Sequence, residues 1–141
     1  MDLSSMILPQ KTVEFEYPGV EGLFFSLSYL SKRELERLQK AHTKFTKNKI
    51  TKTFTEELQQ DAFMEEYVTK IITDWRGLTC GNIQEFLAMP EDSDPEMGVP
   101  YSEENAYALL TNSQDLDQWV SEQISDLENF RNQESKKNEE S

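Results

Sequence analysis

Cysteine and histidine are almost missing from this sequence, which has one of each among its 141 residues. The single thiol, Cys80, excludes an internal disulfide and fits a reducing compartment. A zinc site lacks ligands. His42 is expected on a basic amphipathic helix, where a surface role is more common than catalysis with Cys80. The 5 glycines are scattered and form no phosphate-binding loop. We therefore predict no enzymatic activity, no metal and no cofactor.

Long apolar runs and positive charge are also scarce. The apolar stretch from Leu3 to Leu8 is too short for a membrane span and lacks the basic residues of a signal peptide. Asp and Glu number 27 against 14 Lys and Arg, which gives a net charge of −13. Such a surface repels the phosphates of nucleic acids and of anionic lipids. The sequence predicts partners that are neither nucleic acid nor membrane.

The two signs of charge are unevenly distributed along the chain. Residues 31–55 contain eight basic and two acidic side chains, whereas the chain from Glu91 onward contains 14 acidic and three basic ones. This asymmetry is explained by two solvated faces, or by surfaces that attract partners of opposite charge. The acidic half also leaves open an inhibitor that mimics DNA.

One acidic stretch has the spacing of a calcium loop. The oxygen ligands would be Asp92, Asp94, Glu96 and Glu103. However, Met97 stands where such a loop needs glycine, and Pro95 stiffens the backbone. We do not predict a calcium site.

The first 30 residues are predicted to form a leader over residues 1–11 and a β-hairpin over 12–30. Apolar side chains alternate with polar ones from Val13 to Tyr17. From Leu23 to Tyr29 the apolar positions alternate with Phe24, Ser26 and Ser28. Between the two runs, Pro18-Gly19 favours a turn. A lone hairpin is marginal in water, so its apolar face needs a cover.

Two helices are predicted over residues 31–76. The first, about 32–46, follows a capping box at Ser31 and carries the apolar stripe Leu35, Leu38, Ala41 or His42, and Phe45. The second, about 53–75, would be the spine of the domain. Trp75 would anchor its end in the core, and Gly77 would terminate it in a left-handed conformation. Trp75 and Gly77 together make a predicted structural corner.

The acidic half is predicted to hold an irregular insert over 77–101 and two helices over 102–131. A short helix from Asn82 to Met89 is expected in the insert, and the last two helices at about 103–111 and 114–131. The final stripe contains Leu116, Trp119, Val120, Ile124, Leu127 and Phe130. Residues 132–141 should be a disordered acidic tail. The predicted fold is α+β: a single domain, 12–131, in which the hairpin packs on a mainly α-helical body of about four to five helices.

Apolar stripes, rather than catalytic groups, are the candidate partner-binding features. Their residues are Leu35, Leu38, Phe45, Trp119, Ile124, Leu127 and Phe130. The sequence leaves homo-oligomerisation open.

The order of several motifs resembles the tail assembly chaperones of long-tailed bacteriophages. After the early hairpin come Asp74-Trp75-Arg76-Gly77-Leu78-Thr79, then Val99-Pro100-Tyr101-Ser102-Glu103-Glu104-Asn105-Ala106, and finally Asp126-Leu127-Glu128-Asn129-Phe130. The resemblance covers about residues 12–131. The insert between Thr79 and Val99 is longer than in that pattern.

The resemblance implies a protein of the host cell cytoplasm that binds the phage tape measure protein, keeps it soluble and helps to recruit subunits of the tail tube. It implies no catalytic residue. The alternative is a structural protein of the virion, such as a tail or baseplate adaptor.

Overall fold

The fold contains a four-stranded sheet, with the strands in the spatial order β5 (Ile72–Arg76), β2 (Phe24–Leu30), β1 (Gln10–Glu16) and β6 (Ser135–Lys136). The computed structural model describes residues 2–90 and 93–131 and the backbone of 135–136. Strands β1 (Gln10–Glu16) and β2 (Phe24–Leu30) form an antiparallel hairpin in which Val13 faces Leu27 and Phe15 faces Phe25. The predicted N-terminal hairpin is therefore confirmed. It begins at Gln10, within the predicted leader, and a 3₁₀ turn (Leu3–Ser5) precedes it.

The two outer strands come from distant parts of the chain. Strand β5 (Ile72–Arg76) pairs antiparallel with β2, and a register shift falls between Ser26 and Leu27. Strand β6 (Ser135–Lys136) pairs parallel with β1. The tail predicted to be disordered, 132–141, otherwise lies outside the described residues.

The first predicted helix is shorter than expected. Helix α1 (Lys32–Ala41) begins after Ser31, whose hydroxyl accepts from the Glu34 amide at 3.2 Å. The chain then forms a second antiparallel hairpin, β3 (Thr43–Asn48) and β4 (Thr53–Leu58). This hairpin replaces the end of the first predicted helix and the start of the second, so both predictions are wrong there. Threonines recur through both strands, and their β-branched side chains favour extended backbone. Phe45 therefore lies on a strand.

The predicted spine helix is also wrong in length. Helix α2 (Gln60–Ile71) has 12 residues, and the chain continues directly into β5. Ile72 and Thr73 are β-branched, and the edge of β2 supplies backbone partners for an extended segment. Trp75 consequently lies on a strand of the sheet, and Gly77 follows that strand rather than a helix.

The second half contains the remaining helices. Helix α3 (Cys80–Ile83) is a single turn, so the helix predicted from Asn82 to Met89 is wrong. Helices α4 (Glu103–Asn112) and α5 (Gln114–Ile124) confirm the two predicted terminal helices. The last one stops early, and its expected final turns are a separate 3₁₀ helix, Leu127–Phe130. The predicted α+β class is confirmed.

One face of the sheet and the helices α2, α4 and α5 enclose the core. Aromatic rings meet at its centre: Trp119 lies 4.9 Å from Tyr17 and 5.8 Å from Phe25, centroid to centroid. Phe130 closes one end, 5.4 Å from Phe15 and 5.7 Å from Tyr29. Buried aromatic pairs of this kind each add to the stability that apolar burial supplies.

Candidate partner-binding site

The predicted corner is a place where two backbone segments nearly touch. Gly77 has φ +81°, as the sequence predicted, and a Cβ built there would lie 2.0 Å from the carbonyl oxygen of Gly22. Only glycine combines that backbone conformation with that approach. The corner therefore packs against the turn of the first hairpin.

Arg76, beside the corner on β5, forms an ion pair with Glu14 on β1. Its guanidinium donates to both carboxylate oxygens of Glu14, at 2.7 and 3.0 Å, and lies 3.9 Å from the ring centroid of Phe24. The contact crosses from β5 over β2 to β1. A bidentate pair of this kind combines charge with fixed geometry, and stacking on Phe24 adds a cation–π contribution. Arg76 thus has a structural role.

Trp75 joins the corner to the segment before α4. The side chain is 7% exposed, and its ring lies 6.0 Å from Phe25 and 5.0 Å from Tyr101. The indole N–H donates to the Val99 carbonyl at 2.8 Å. The prediction that Trp75 is a core anchor is consistent with this burial, although its neighbours come from the sheet and from residues 99–101.

Backbone bonds continue the same junction. The Val99 amide donates to Leu78, and Thr79 forms a β-bridge with Gly98. The Tyr101 hydroxyl donates to the Ile72 carbonyl at 2.6 Å, and burial, with the charges of Glu103 and Asp74, raises the pKa of Tyr101. Two motifs that stand apart in the sequence, 74–79 and 99–106, therefore form one structural unit.

An apolar cavity of about 420 Å³ opens beside this unit. It lies between the corner, the segment around α3, and α4. Its lining residues are Trp75, Leu78, Ile83, Leu87, Ala88, Met89, Val99, Asn105, Ala108, Leu109 and Asn112. Ala88 and Ala108 are exposed, whereas Ile83 and Leu109 are buried. Among the described residues, no acidic, basic or thiol side chain lines the cavity, so its chemistry suits an aliphatic or aromatic side chain.

Several acidic residues lie in the segments that carry the cavity-lining residues. Glu104 lies one turn before Ala108 on α4, although it lines a separate pocket between α2 and α4 together with Glu103. Asp94 and Glu96, both exposed, stand in the loop that bonds to α3 through the Pro95 carbonyl. An apolar cavity whose neighbouring segments carry acids fits an apolar side chain on a basic segment.

The seven stripe residues do not form one surface. Leu38 and Phe130 are buried at 0% and 1% exposure, so neither side chain reaches the surface. Trp119 is partly buried in the aromatic core. Leu35 and Ile124 come together beside a smaller pocket of about 230 Å³. Phe45 and Leu127 are exposed, at 58% and 47%.

The corner cavity was missed because about half of its lining residues come from the irregular insert. Leu78, Ile83, Leu87 and Val99 have no common helical or strand period in the sequence. The one available signal was their apolar character within a segment otherwise rich in acids and prolines.

The single histidine pairs with a carboxylate. His42 Nε2 lies 2.8 Å from Glu66 Oε1. Cys80 is a partly buried free thiol at the start of α3.

Within residues 2–90 and 93–131, no group of three or more His, Cys, Asp and Glu side chains could hold a metal ion. Asp92 of the calcium-like pattern lies outside the described residues.

A model of the YdaY prophage protein family matches residues 29–141. The matched region begins near the end of β2 and contains the corner, the cavity and helices α1 to α5. No curated protein and no solved structure matches the chain. None of the helices in the described part of the chain is both long and apolar enough to cross a membrane.

Proposed function

The chain belongs to the YdaY prophage protein family and is phage-derived, and from this premise we propose that it is a tail assembly chaperone. It would bind the tape measure protein in the host cytoplasm and keep that client soluble until tail-tube subunits gather around it. The observation that carries the proposal is the corner cavity, which is apolar, open and built in part from two of the motifs on which the resemblance to tail assembly chaperones rests.

The cavity supplies the binding energy. Moving an aliphatic or aromatic side chain from water into an apolar site gains about 1.5–3 kcal/mol. A volume of about 420 Å³ has room for such a side chain from an amphipathic client helix. Covering that residue removes from the client the apolar surface through which it would aggregate.

The charge of the chaperone supports the same role. Glu104, Asp94 and Glu96 lie in the segments that form the cavity and would attract basic residues that flank the client's apolar side chain. The net charge of −13 would keep the complex apart from other complexes in solution.

Co-expression tests this function. The tape measure protein from the same prophage should be more soluble when this chain is co-expressed with it, and the two should co-purify. An unchanged soluble fraction without co-purification contradicts the proposal.

Mass spectrometry of purified particles separates the chaperone from the alternative, a structural tail or baseplate protein. A chaperone should be absent from mature virions. Its recovery there in the copy number of a tail component would support the structural role instead.

A further inference from the structure

A second surface, lined by several basic residues, lies between α1 and the hairpin β3–β4. The groove there has a volume of about 830 Å³. Its lining residues are Lys32, Arg33, Glu36, Arg37, Gln39, Lys40, Thr43, Phe45 and Glu56. We name it the basic groove.

Three of the four cations that line the basic groove are available to pair with a partner. Arg37 is held by Glu34, to which it donates two hydrogen bonds. Lys32, Arg33 and Lys40 are exposed and make no ion pair with any of the described residues. In the part of the chain that the structure describes, Glu36 and Glu56 are the acids that line the groove. The surface is therefore locally positive in a protein that is strongly negative as a whole.

One wall of the basic groove is apolar. The register pairs Phe45 with Glu56, Lys47 with Phe54 and Thr43 with Leu58. Side chains paired across two strands share a face, as do those two residues apart on one strand. Phe45, Phe54 and Leu58 therefore lie, with Lys47 and Glu56, on the face that borders the groove, and Phe45 lines it. They are 58%, 69% and 37% exposed.

The hairpin itself indicates that its apolar face has a partner. Apart from Thr43, which is half-buried, all residues of β3 and β4 are exposed, and they form a sheet of two strands. Two-stranded hairpins are marginally stable alone, and three exposed apolar side chains on one face add to that cost. A segment that covers Phe45 and Phe54 would stabilise the hairpin.

We propose that the basic groove binds an acidic, amphipathic segment of a partner protein. Its apolar side chains would pack on Phe45, Phe54 and Leu58, and its carboxylates would pair with Lys32, Arg33 and Lys40. Charge complementarity decides between occupants. A basic client would be repelled here, whereas nucleic acid would leave the apolar wall uncovered. The proposal goes beyond the client-binding function and does not depend on it.

Fluorescence anisotropy with designed probes tests this proposal. The probe is a short fluorescein-labelled peptide of alternating Glu and Leu. One comparison peptide carries Lys in place of Glu, and another carries Ser in place of Leu. The Glu–Leu peptide should bind the wild-type chain best, because it alone satisfies both the cations and the apolar wall. Its affinity should fall with added salt.

Matched variants locate the binding. The double variant Lys32→Glu/Lys40→Glu should weaken binding about tenfold or more, which corresponds to about 1.4 kcal/mol. Lys44→Glu/Lys49→Glu makes the same change in net charge outside the groove and should have little effect. Phe45→Ser should weaken binding, and Ile50→Ser, at the hairpin tip, should not. All these side chains are exposed, and circular dichroism verifies folding.

Four results would overturn the proposal. They are no binding of the Glu–Leu peptide, equal binding of the Lys–Leu peptide, equal effects of the two double variants, and displacement of the probe by oligothymidylate. Self-association that Lys32→Glu/Lys40→Glu abolishes would assign the groove to a second copy instead. Client solubilisation should be the same for all these variants, because none alters the corner cavity.

Discussion

Trp75 donates its indole N–H to the backbone carbonyl of Val99 at 2.8 Å, and this bond joins β5 to a segment 24 residues further along the chain. Around it, Tyr101 contacts both the Trp75 ring and the Ile72 carbonyl. The cavity proposed for the client has Trp75 and Val99 in its wall. The stability of this junction and the shape of the cavity are therefore linked.

Two substitutions of Trp75 separate the contribution of its hydrogen bond to stability from that of its buried ring. Trp75→Phe keeps an aromatic ring but leaves the Val99 carbonyl without its donor, so it should lower the free energy of unfolding by about 1–3 kcal/mol. Trp75→Ala also removes the buried ring and should cost about 3–5 kcal/mol. Urea denaturation measures both. Trp119→Phe is the control, because the Trp119 indole makes no hydrogen bond with the described residues, and it should cost less than Trp75→Phe.

Alanine substitutions at Gly77 and Gly19 distinguish the cost of a left-handed backbone from the cost of a steric clash. Both have φ above +80°, but a Cβ at Gly19 would meet nothing within 4 Å, whereas one at Gly77 would meet the Gly22 carbonyl. Gly19→Ala should therefore cost about 1–2 kcal/mol, the penalty of the left-handed conformation. Gly77→Ala should cost on the order of 4 kcal/mol or more. Equal losses in thermal denaturation would show that the corner does not approach the hairpin turn.

Leu38 and Phe45 came from one predicted stripe but have opposite environments. Leu38 is fully buried, so Leu38→Ala should lower the free energy of unfolding by about 2–5 kcal/mol. Phe45→Ala, on the exposed face of the second hairpin, should change it by less than about 0.5 kcal/mol. Chemical denaturation of the two variants decides this. A larger loss for Phe45→Ala would place Phe45 in the core.

Tyr101 should make the fold sensitive to alkali. Burial raises the pKa of Tyr101 above its ordinary value of 10.0, so the folded protein holds the phenolic proton more tightly than the unfolded chain does. The resulting stability is complete below the unfolded pKa and is lost as pH rises through the folded one. Urea denaturation from about pH 8 to about pH 11 measures the decline.

Tyr101→Phe is the control for that decline. It removes the titrating group together with the hydrogen bond to Ile72, so the variant should be less stable at neutral pH but lose stability less steeply in alkali. Burial also raises the pKa values of Tyr17 and Tyr67, so part of the alkaline decline should remain. An unchanged slope would contradict the assignment to Tyr101.

Local sequence patterns were sufficient to predict the elements whose apolar residues have a clear strand or helix period. Alternation of side chains predicted β1 and β2, and the helical spacing of apolar residues predicted α4 and α5. In the structure, the hydroxyls of Ser102 and Ser113 cap the starts of these helices by accepting from the amides of Asn105 and Leu116. The α+β class followed from these elements. Each depends on contacts within a few residues, which a sequence displays directly.

The errors arose where pairing between strands decides the conformation. Phe45 follows Leu38 by seven residues, which fits a helix, yet pairing of β3 with β4 places it on a strand. Ile72 and Trp75 are three residues apart, which also fits a helix, but pairing with β2 places both of them on a strand of the sheet. The corner cavity required knowledge of both motif segments at once, so no single stretch of sequence could predict it.

The most direct test of client binding uses two exposed alanines on helices. Ala108→Glu places a carboxylate in the wall of the corner cavity, and Ala62→Glu makes the same change on α2, outside it. The measurement is the soluble fraction of the tape measure protein co-expressed with each variant. We expect Ala62→Glu to solubilise the client as the wild-type chain does, and Ala108→Glu, although folded, to lose most of that effect. Full solubilisation by Ala108→Glu would contradict client binding at this cavity.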